Sequence, residues 1–333
     1  MPNISVFGGG SWGTTLAVLL ANKGFPVRLW VYEKELARQI QTSRENKLYL
    51  PGVTIPGSAM VTDSLEEAVM TGTILLSVIP TQYVRSVFSS CKDLVKTGHV
   101  VVSCSKGIEK GTLLTPAGVL KDVFGEGVSY AVLSGPSFAA EVAKNQPTAV
   151  TLAAQDKDLA MRLQRLFNTN YFRVYTNYDI VGVELGGAVK NVIALASGIT
   201  DGLGLGNNTR AALISRGLAE MVRLGATMGA RAETFSGLSG LGDLILTCTG
   251  ALSRNRSVGV KLGQGKLLKD IIAEMKGIAE GVESTMSVRD LAWRQMVEMP
   301  IVEQVYHVLY RNKSPKEAVN HLMTRAYKDE FER

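Results

Sequence analysis

The stretch Ile4-Ser5-Val6-Phe7-Gly8-Gly9-Gly10-Ser11-Trp12-Gly13 decides the fold. The strand-like run Ile4–Phe7 leads directly into Gly8-x-Gly10-x-x-Gly13, and Trp12 to Asn22 then reads as a helix with Gly24 as its stop. Strand, glycine turn and helix lie within one short βα unit, the context in which this glycine pattern points to a dinucleotide. Gly8 permits the tight turn, Gly10 lets the backbone approach phosphates, and Gly13 lets helix and strand close on each other. Free amides at the helix start, beside Ser11 and Trp12, would face an anionic pyrophosphate.

Further along, short apolar runs alternate with helical stretches: Val27–Val31, Ile74–Ile79, Val100–Cys104, Tyr130–Leu133, Ala149–Leu152 and Phe172–Tyr175. Many are apolar throughout, as strands covered on both faces should be. They predict a Rossmann-like α/β domain over residues 1–180, with a mostly parallel, doubly wound sheet. From about Ile180 the strand-like runs stop and helical periodicity continues to the end, broken by Gly-rich turns at Gly202–Gly206 and Gly237–Gly242. An all-α domain over residues 181–333 is expected. A chain of 333 residues, 46% hydrophobic and 20% charged, has core material for two such domains.

Several classes are disfavoured. No run reaches the roughly 18 apolar residues of a membrane span, and the start has no signal-peptide pattern, so a cytoplasmic protein without membrane insertion is expected. Cys91, Cys104 and Cys248 stand far apart, and His99, His307 and His321 lack ligand spacing, which predicts neither disulfides nor a metal. The net charge of +6 comes without a dense basic run, which favours a small anionic substrate over nucleic acid. The sequence leaves a homodimer open.

Glu33 stands twenty residues past Gly13, where an acid usually bonds the ribose hydroxyls and repels a 2′-phosphate. Lys34 and Arg28 are near enough in sequence to offset it, so either NAD or NADP is open here. In the second half, the apolar helix Ile180–Ile199 carries Gly186-Gly187-Ala188-Val189-Lys190-Asn191. Helical side chains lean over positions i−3 and i−4, so Lys190 should lie over two glycines and an empty patch with room for a ligand. A lysine in partly apolar surroundings loses basicity and can exchange a proton with a carbonyl oxygen. The alternative is a lysine that snorkels out of a core helix.

Together these residues resemble the bacterial NAD(P)-dependent sn-glycerol-3-phosphate dehydrogenases. The matching stretches are Gly8–Gly13, Ser103–Gly107, Ser134–Ala139, Glu184–Asn191, Gly240–Leu244, Ser253–Arg256 and Ala279–Gly281, in order through nearly the whole chain. The resemblance implies hydride transfer between NAD(P)H and dihydroxyacetone phosphate, a phosphorylated small molecule, supplying glycerol 3-phosphate for phospholipid synthesis. It implies that Lys190 is the acid/base. Ser11, Trp12, Tyr32, Glu33, Lys106, Ala139, Arg254, Ile278 and Glu280 then fall at cofactor contacts. Lys106, Gly135, Ser137, Lys190, Asp243, Ser253, Arg254 and Asn255 fall at substrate contacts. Many members carry His or Arg where this chain has Tyr32 and Glu33, a departure that bears on NADP preference.

Residue chemistry bears on several of these implied roles separately. Ser253-Arg254-Asn255-Arg256 offers guanidinium forks and amide donors for a phosphate, or else is a solvated basic loop. Asp243, in a Gly-rich turn, could orient Lys190 or accept a substrate hydroxyl, and otherwise serves an Asx-turn or helix cap. Pro136 holds Gly135 extended after a strand, so the segment can line the crevice at the carboxyl ends of the strands. Lys106 is either over that crevice or a plain surface lysine. Cys248 is expected as a small core residue, not a nucleophile.

Overall fold

The computed structural model describes residues 1–330 apart from 276, 278 and 328. The first half runs β1 (Ile4–Phe7), α1 (Ser11–Asn22), β2 (Val27–Trp30), α2 (Lys34–Ser43), β3 (Glu45–Asn46), β4 (Leu50–Thr54), β5 (Ala59–Thr62) and α3 (Leu65–Thr71). It continues with β6 (Ile74–Ser77), α4 (Thr81–Ser89), β7 (Val100–Ser103), α5 (Pro116–Phe124), β8 (Ser129–Ser134), α6 (Ala139–Val142), β9 (Thr148–Ala154), α7 (Lys157–Phe167) and β10 (Phe172–Asn177). Eight strands form one sheet in the order β10-β9-β8-β7-β6-β1-β2-β5, parallel except where β8 meets β9.

The continuous apolar strands explain the two covered faces. Ile4 and Val6 of β1 pack into one layer with α1, α2 and α7, while Phe7 packs into another with α3, α4 and α5. All seven expected strands are present, and β5 and the small β3–β4 hairpin join them. The hairpin starts with Glu45 and contains Pro51 and Gly52, so it gives no apolar run that a sequence pattern would flag, while β5, Ala59-Met60-Val61-Thr62, offers only three apolar residues in a row.

α8 (Ile180–Gly202) follows β10, then α9 (Asn207–Thr227), α10 (Ala232–Phe235), α11 (Asp243–Thr249), α12 (Arg254–Gly263), α13 (Leu268–Ala273), α14 (Glu280–Arg294), α15 (Pro300–Tyr310) and α16 (Pro315–Met323). α8 corrects the reading of membrane potential: it is long and apolar enough to cross a membrane, yet 89% of that window is buried inside the protein. Its Glu184, Lys190 and Asn191 broke the visible apolar run without lowering the average enough. The Gly237–Gly242 turn is also corrected. Leu238–Gly242 is a π-helical turn leading straight into α11, and such turns recur at functional sites.

α8 and α12 touch backbone to backbone. A Cβ on Gly198 would run into the Arg256 carbonyl and lie 2.9 Å from the Gly259 Cα; Gly202 and Gly263 repeat the contact one turn on. Gly198-x-x-x-Gly202 thus meets Gly259-x-x-x-Gly263 with both helices ascending. Carried back one turn, this register sets Asn255, at the start of α12, beside Ala194, from where its side chain reaches that of Asn191 at 2.9 Å.

Candidate active site

The Gly8–Gly13 loop sits at the carboxyl end of β1. Gly8 has φ +130°, and a Cβ there would meet the Val78 carbonyl oxygen at 2.5 Å. A Cβ on Gly13 would run into the Gly8 carbonyl, whereas nothing lies within 4 Å of the space a Cβ would take on Gly10. That open space borders the start of α1, where Gly10 is the N-cap and no side chain caps the first turn. The amides of Ser11, Trp12 and Gly13 therefore have no intrahelical acceptors and suit a pyrophosphate. Asn46, on the β3–β4 hairpin, donates to the Gly9 carbonyl at 2.7 Å and to Thr14 Oγ1 at 2.9 Å, fixing the loop from above.

Around this loop, Trp12 packs its ring against Phe172, and the Ala139 carbonyl accepts a bond from Thr15 at 3.2 Å. Tyr32 is exposed, its ring edge-on to Trp30. Glu33 precedes α2 without capping it, and Tyr49 donates to its carboxylate at 3.4 Å. Arg28 does not offset Glu33 as its sequence proximity suggested. It lies two residues before Trp30 on the strand face turned toward α3, and it is paired with Glu67.

The second cluster centres on Asp243, in the first turn of α11 and 1% exposed. Its Oδ1 accepts from Lys190 Nζ at 2.7 Å and its Oδ2 from Lys106 Nζ, also at 2.7 Å. Lys106 donates further to the Gly135 carbonyl at 3.0 Å, which Ser137 Oγ also reaches at 2.9 Å. Gly135 has φ +133°, and a Cβ on it would crowd Val150 at 3.0 Å. The sequence thus brings Lys106, Gly135, Ser137, Lys190 and Asp243 into one connected network.

The empty patch expected beneath Lys190 is not there. The Ser239 carbonyl fills the space over Gly186, and the Lys106 stem and Ser134 hydroxyl fill that over Gly187. The glycines admit the π-helical turn and Lys106 to the surface of α8, and this close approach is what lets Asp243 reach both lysines. Burial pulls the Lys190 ammonium down to about 8, although the Asp243 charge pulls it back up. For Asp243, burial favours the neutral acid, but the ammoniums of Lys106 and Lys190 outweigh it and hold the carboxyl below its ordinary range.

Sequence reasoning missed Thr247, whose hydroxyl accepts from Lys190 Nζ at 2.8 Å. Its spacing of four from Asp243 on one helix was a usable signal. It also missed Asn191, whose side-chain oxygen accepts from Asn255 at 2.9 Å. Asn46 and Tyr49 had no local signal, because only the folded hairpin brings them to the loop.

Ser253 caps α12 by accepting from the Arg256 amide at 3.2 Å. Asn255 accepts from the Gly281 amide at 3.0 Å and so ties α12 to α14. Arg254 is exposed at the start of α12 and lies against Gly277. Arg256 leaves the expected clamp: its guanidinium is paired with Asp201 at 2.7 Å. Burial raises Glu280, at the start of α14, to about 7, while the charges of Arg254, Lys190 and Lys106 pull it down. Ile278 lies outside the described residues. Burial pushes the Cys248 thiol up to about 12, which leaves it a core residue. Among the described residues no cluster of His, Cys, Asp and Glu could hold a metal.

Comparison with known proteins gives a consistent result. Residues 3–160 match the family model for the NAD-dependent glycerol-3-phosphate dehydrogenase N-terminus, and residues 179–320 match that for the C-terminus. The chain is 56% identical over 329 residues, 98% of each chain, to glycerol-3-phosphate dehydrogenase (NAD(P)+) of Geobacter metallireducens. It is 54% identical, with the same coverage, to that of Citrifermentans bemidjiense. The crystal structure of glycerol-3-phosphate dehydrogenase from Coxiella burnetii superposes with a TM-score of 0.94 at 42% identity, covering 97% of this chain and 99% of that one.

Proposed function

Because the chain belongs to the NAD-dependent glycerol-3-phosphate dehydrogenase family, we propose that it reduces dihydroxyacetone phosphate reversibly to sn-glycerol 3-phosphate. It is an NAD(P)-dependent oxidoreductase acting on a CH–OH group. The nicotinamide, when bound, supplies or receives the hydride at substrate C2. Everything else falls to the chain's own residues.

The observation that carries the catalytic reading is the buried Lys190–Asp243–Lys106 network. Lys190 Nζ holds the proton that passes to the carbonyl oxygen in reduction, and takes it back in oxidation. Asp243 fixes the direction of that ammonium, and Lys106, sharing the same carboxylate, lies beside Gly135 and Ser137 where substrate oxygens would be held. Arg254 and the capped start of α12, with Asn255, form the phosphate end. The loop Gly8–Gly13 with Ser11, Trp12 and Ala139 holds the dinucleotide, and Glu280 is a further cofactor contact.

The division falls near residue 180, with nucleotide binding in 1–180 and proton transfer in 181–333. Burial of α8 within the helical half supports an enzyme that works without membrane insertion, and a cytoplasmic enzyme that makes glycerol 3-phosphate for phospholipid synthesis follows from the family reading. The test is steady-state oxidation of NADH and NADPH with dihydroxyacetone phosphate, set against a panel of 3-oxo acids. Turnover confined to the oxo acids would overturn the substrate assignment.

A further inference from the structure

We propose that the chain selects NAD(H) over NADP(H), with Glu33 as the specificity-determining residue and Tyr49 as its positioning partner. The proposal takes the Gly8–Gly13 loop as the pyrophosphate cradle, and goes beyond it to the far end of the nucleotide. In a βαβ unit of this kind the acid that follows the second strand bonds the adenosine ribose hydroxyls. Glu33 stands there, exposed, directly after β2 and twenty residues past Gly13.

Three observations orient it. Glu33 occupies the N-cap position of α2 in an extended conformation, yet its carboxylate caps no amide. It is reached instead by the Tyr49 hydroxyl, and burial together with Glu33 keeps that phenol protonated and able to donate. Tyr49 in turn belongs to the hairpin that Asn46 ties to the cradle, so acid and loop are positioned by one element.

The two arginines nearest to Glu33 in sequence, Arg28 and Arg38, each lie against an acid of their own. A nearby arginine accommodates a 2′-phosphate in such folds, but the fork of Arg28 is paired with Glu67, whose other oxygen accepts from Thr62 at 2.5 Å. Arg38, one turn into α2, lies 3.9 Å from Glu35. A phosphate on the 2′ oxygen would therefore meet the Glu33 carboxylate first, losing a ribose hydrogen bond and gaining a like charge. Lys34 remains exposed at the start of α2, which defines what removal of the acid should reveal.

The experiment measures dissociation constants by calorimetry for ADP-ribose and 2′-phospho-ADP-ribose, which carry no nicotinamide and need no turnover. The wild-type chain is expected to bind ADP-ribose at least about tenfold more tightly, a difference of about 1.4 kcal/mol. Glu33→Gln should narrow that ratio at least about fivefold, chiefly through tighter binding of the phosphorylated ligand. Tyr49→Phe should narrow it in the same direction by a smaller factor, and Arg28→Ala should leave it unchanged. Equal wild-type affinities, or an unaltered ratio in Glu33→Gln, would overturn the proposal. An unaltered ratio in Tyr49→Phe would remove the positioning role, and a widened one in Arg28→Ala would return the phosphate to Arg28. Absence of turnover with dihydroxyacetone phosphate would instead strike at the substrate assignment and leave these ratios standing.

Discussion

Lys190 is held by two acceptors while its ammonium is pulled down to about 8, so near neutral pH it is charged yet ready to release a proton. Replacing it with alanine should lower kcat by about 10²-fold or more while nucleotide affinity stays as in wild type. Near wild-type turnover would remove Lys190 from proton transfer. The same residue sets a pH profile. Reduction uses the protonated amine, so kcat/KM for dihydroxyacetone phosphate should decline as pH rises through about 8. Oxidation of glycerol 3-phosphate uses the neutral amine and should rise over the same interval, and parallel profiles in both directions would contradict the assignment. Arg254, which is exposed at the start of α12 with its guanidinium against Gly277, should act mainly on binding. Arg254→Ala is expected to raise the substrate KM about tenfold or more with a smaller change in kcat, read from initial rates.

At the scale of elements, helix ends carry buried acids. Glu220, on α9, accepts from the amides of Ile301 at 2.7 Å and Val302 at 3.3 Å and so caps α15 from another helix. Burial raises its carboxyl to about 7, well above the range of an unfolded chain. A raised folded-state value means that this contribution to stability is fully present below the unfolded value and is lost as pH rises through about 7. Glu220→Gln keeps an acceptor without the charge, so its melting temperature should fall less between pH 5.5 and 8 than that of wild type. Identical slopes would show that Glu220 does not titrate there. The α8–α12 contact makes a second prediction. Gly198→Leu has no room beside the Arg256 carbonyl and should cost about 1–3 kcal/mol or more in denaturant unfolding. Its folded fraction should also bind substrate more weakly, because α12 carries Arg254 and Asn255.

Across the whole molecule, the fold was legible because many of the strands are largely apolar and the glycine loop follows the first of them. Lys190 and Asp243 were legible as chemistry, but their meeting point was not: Lys106, Asp243 and Lys190 are far apart in the chain, and the empty space inferred from Gly186 and Gly187 proved to be where two other segments enter. Arg256 was misread for a related reason, since a charge seen in sequence does not reveal the Asp201 that occupies it. The two halves are also joined by Glu184 of α8, which accepts from Thr115 Oγ1 at 2.6 Å and the Ala117 amide at 2.8 Å at the start of α5. Burial raises it to about 7.

The glycine pairs between α8 and α12 set a length. With no side chain between the two backbones, the spacing of the main chains that carry Lys190 and Arg254 is set by direct contact and is insensitive to drift in the surrounding core. Such a crevice works as a ruler of one span. A four-carbon homologue, with its phosphate one bond farther from the carbonyl, would satisfy one end only at the expense of the other, and its kcat/KM should fall well below that of the three-carbon substrate.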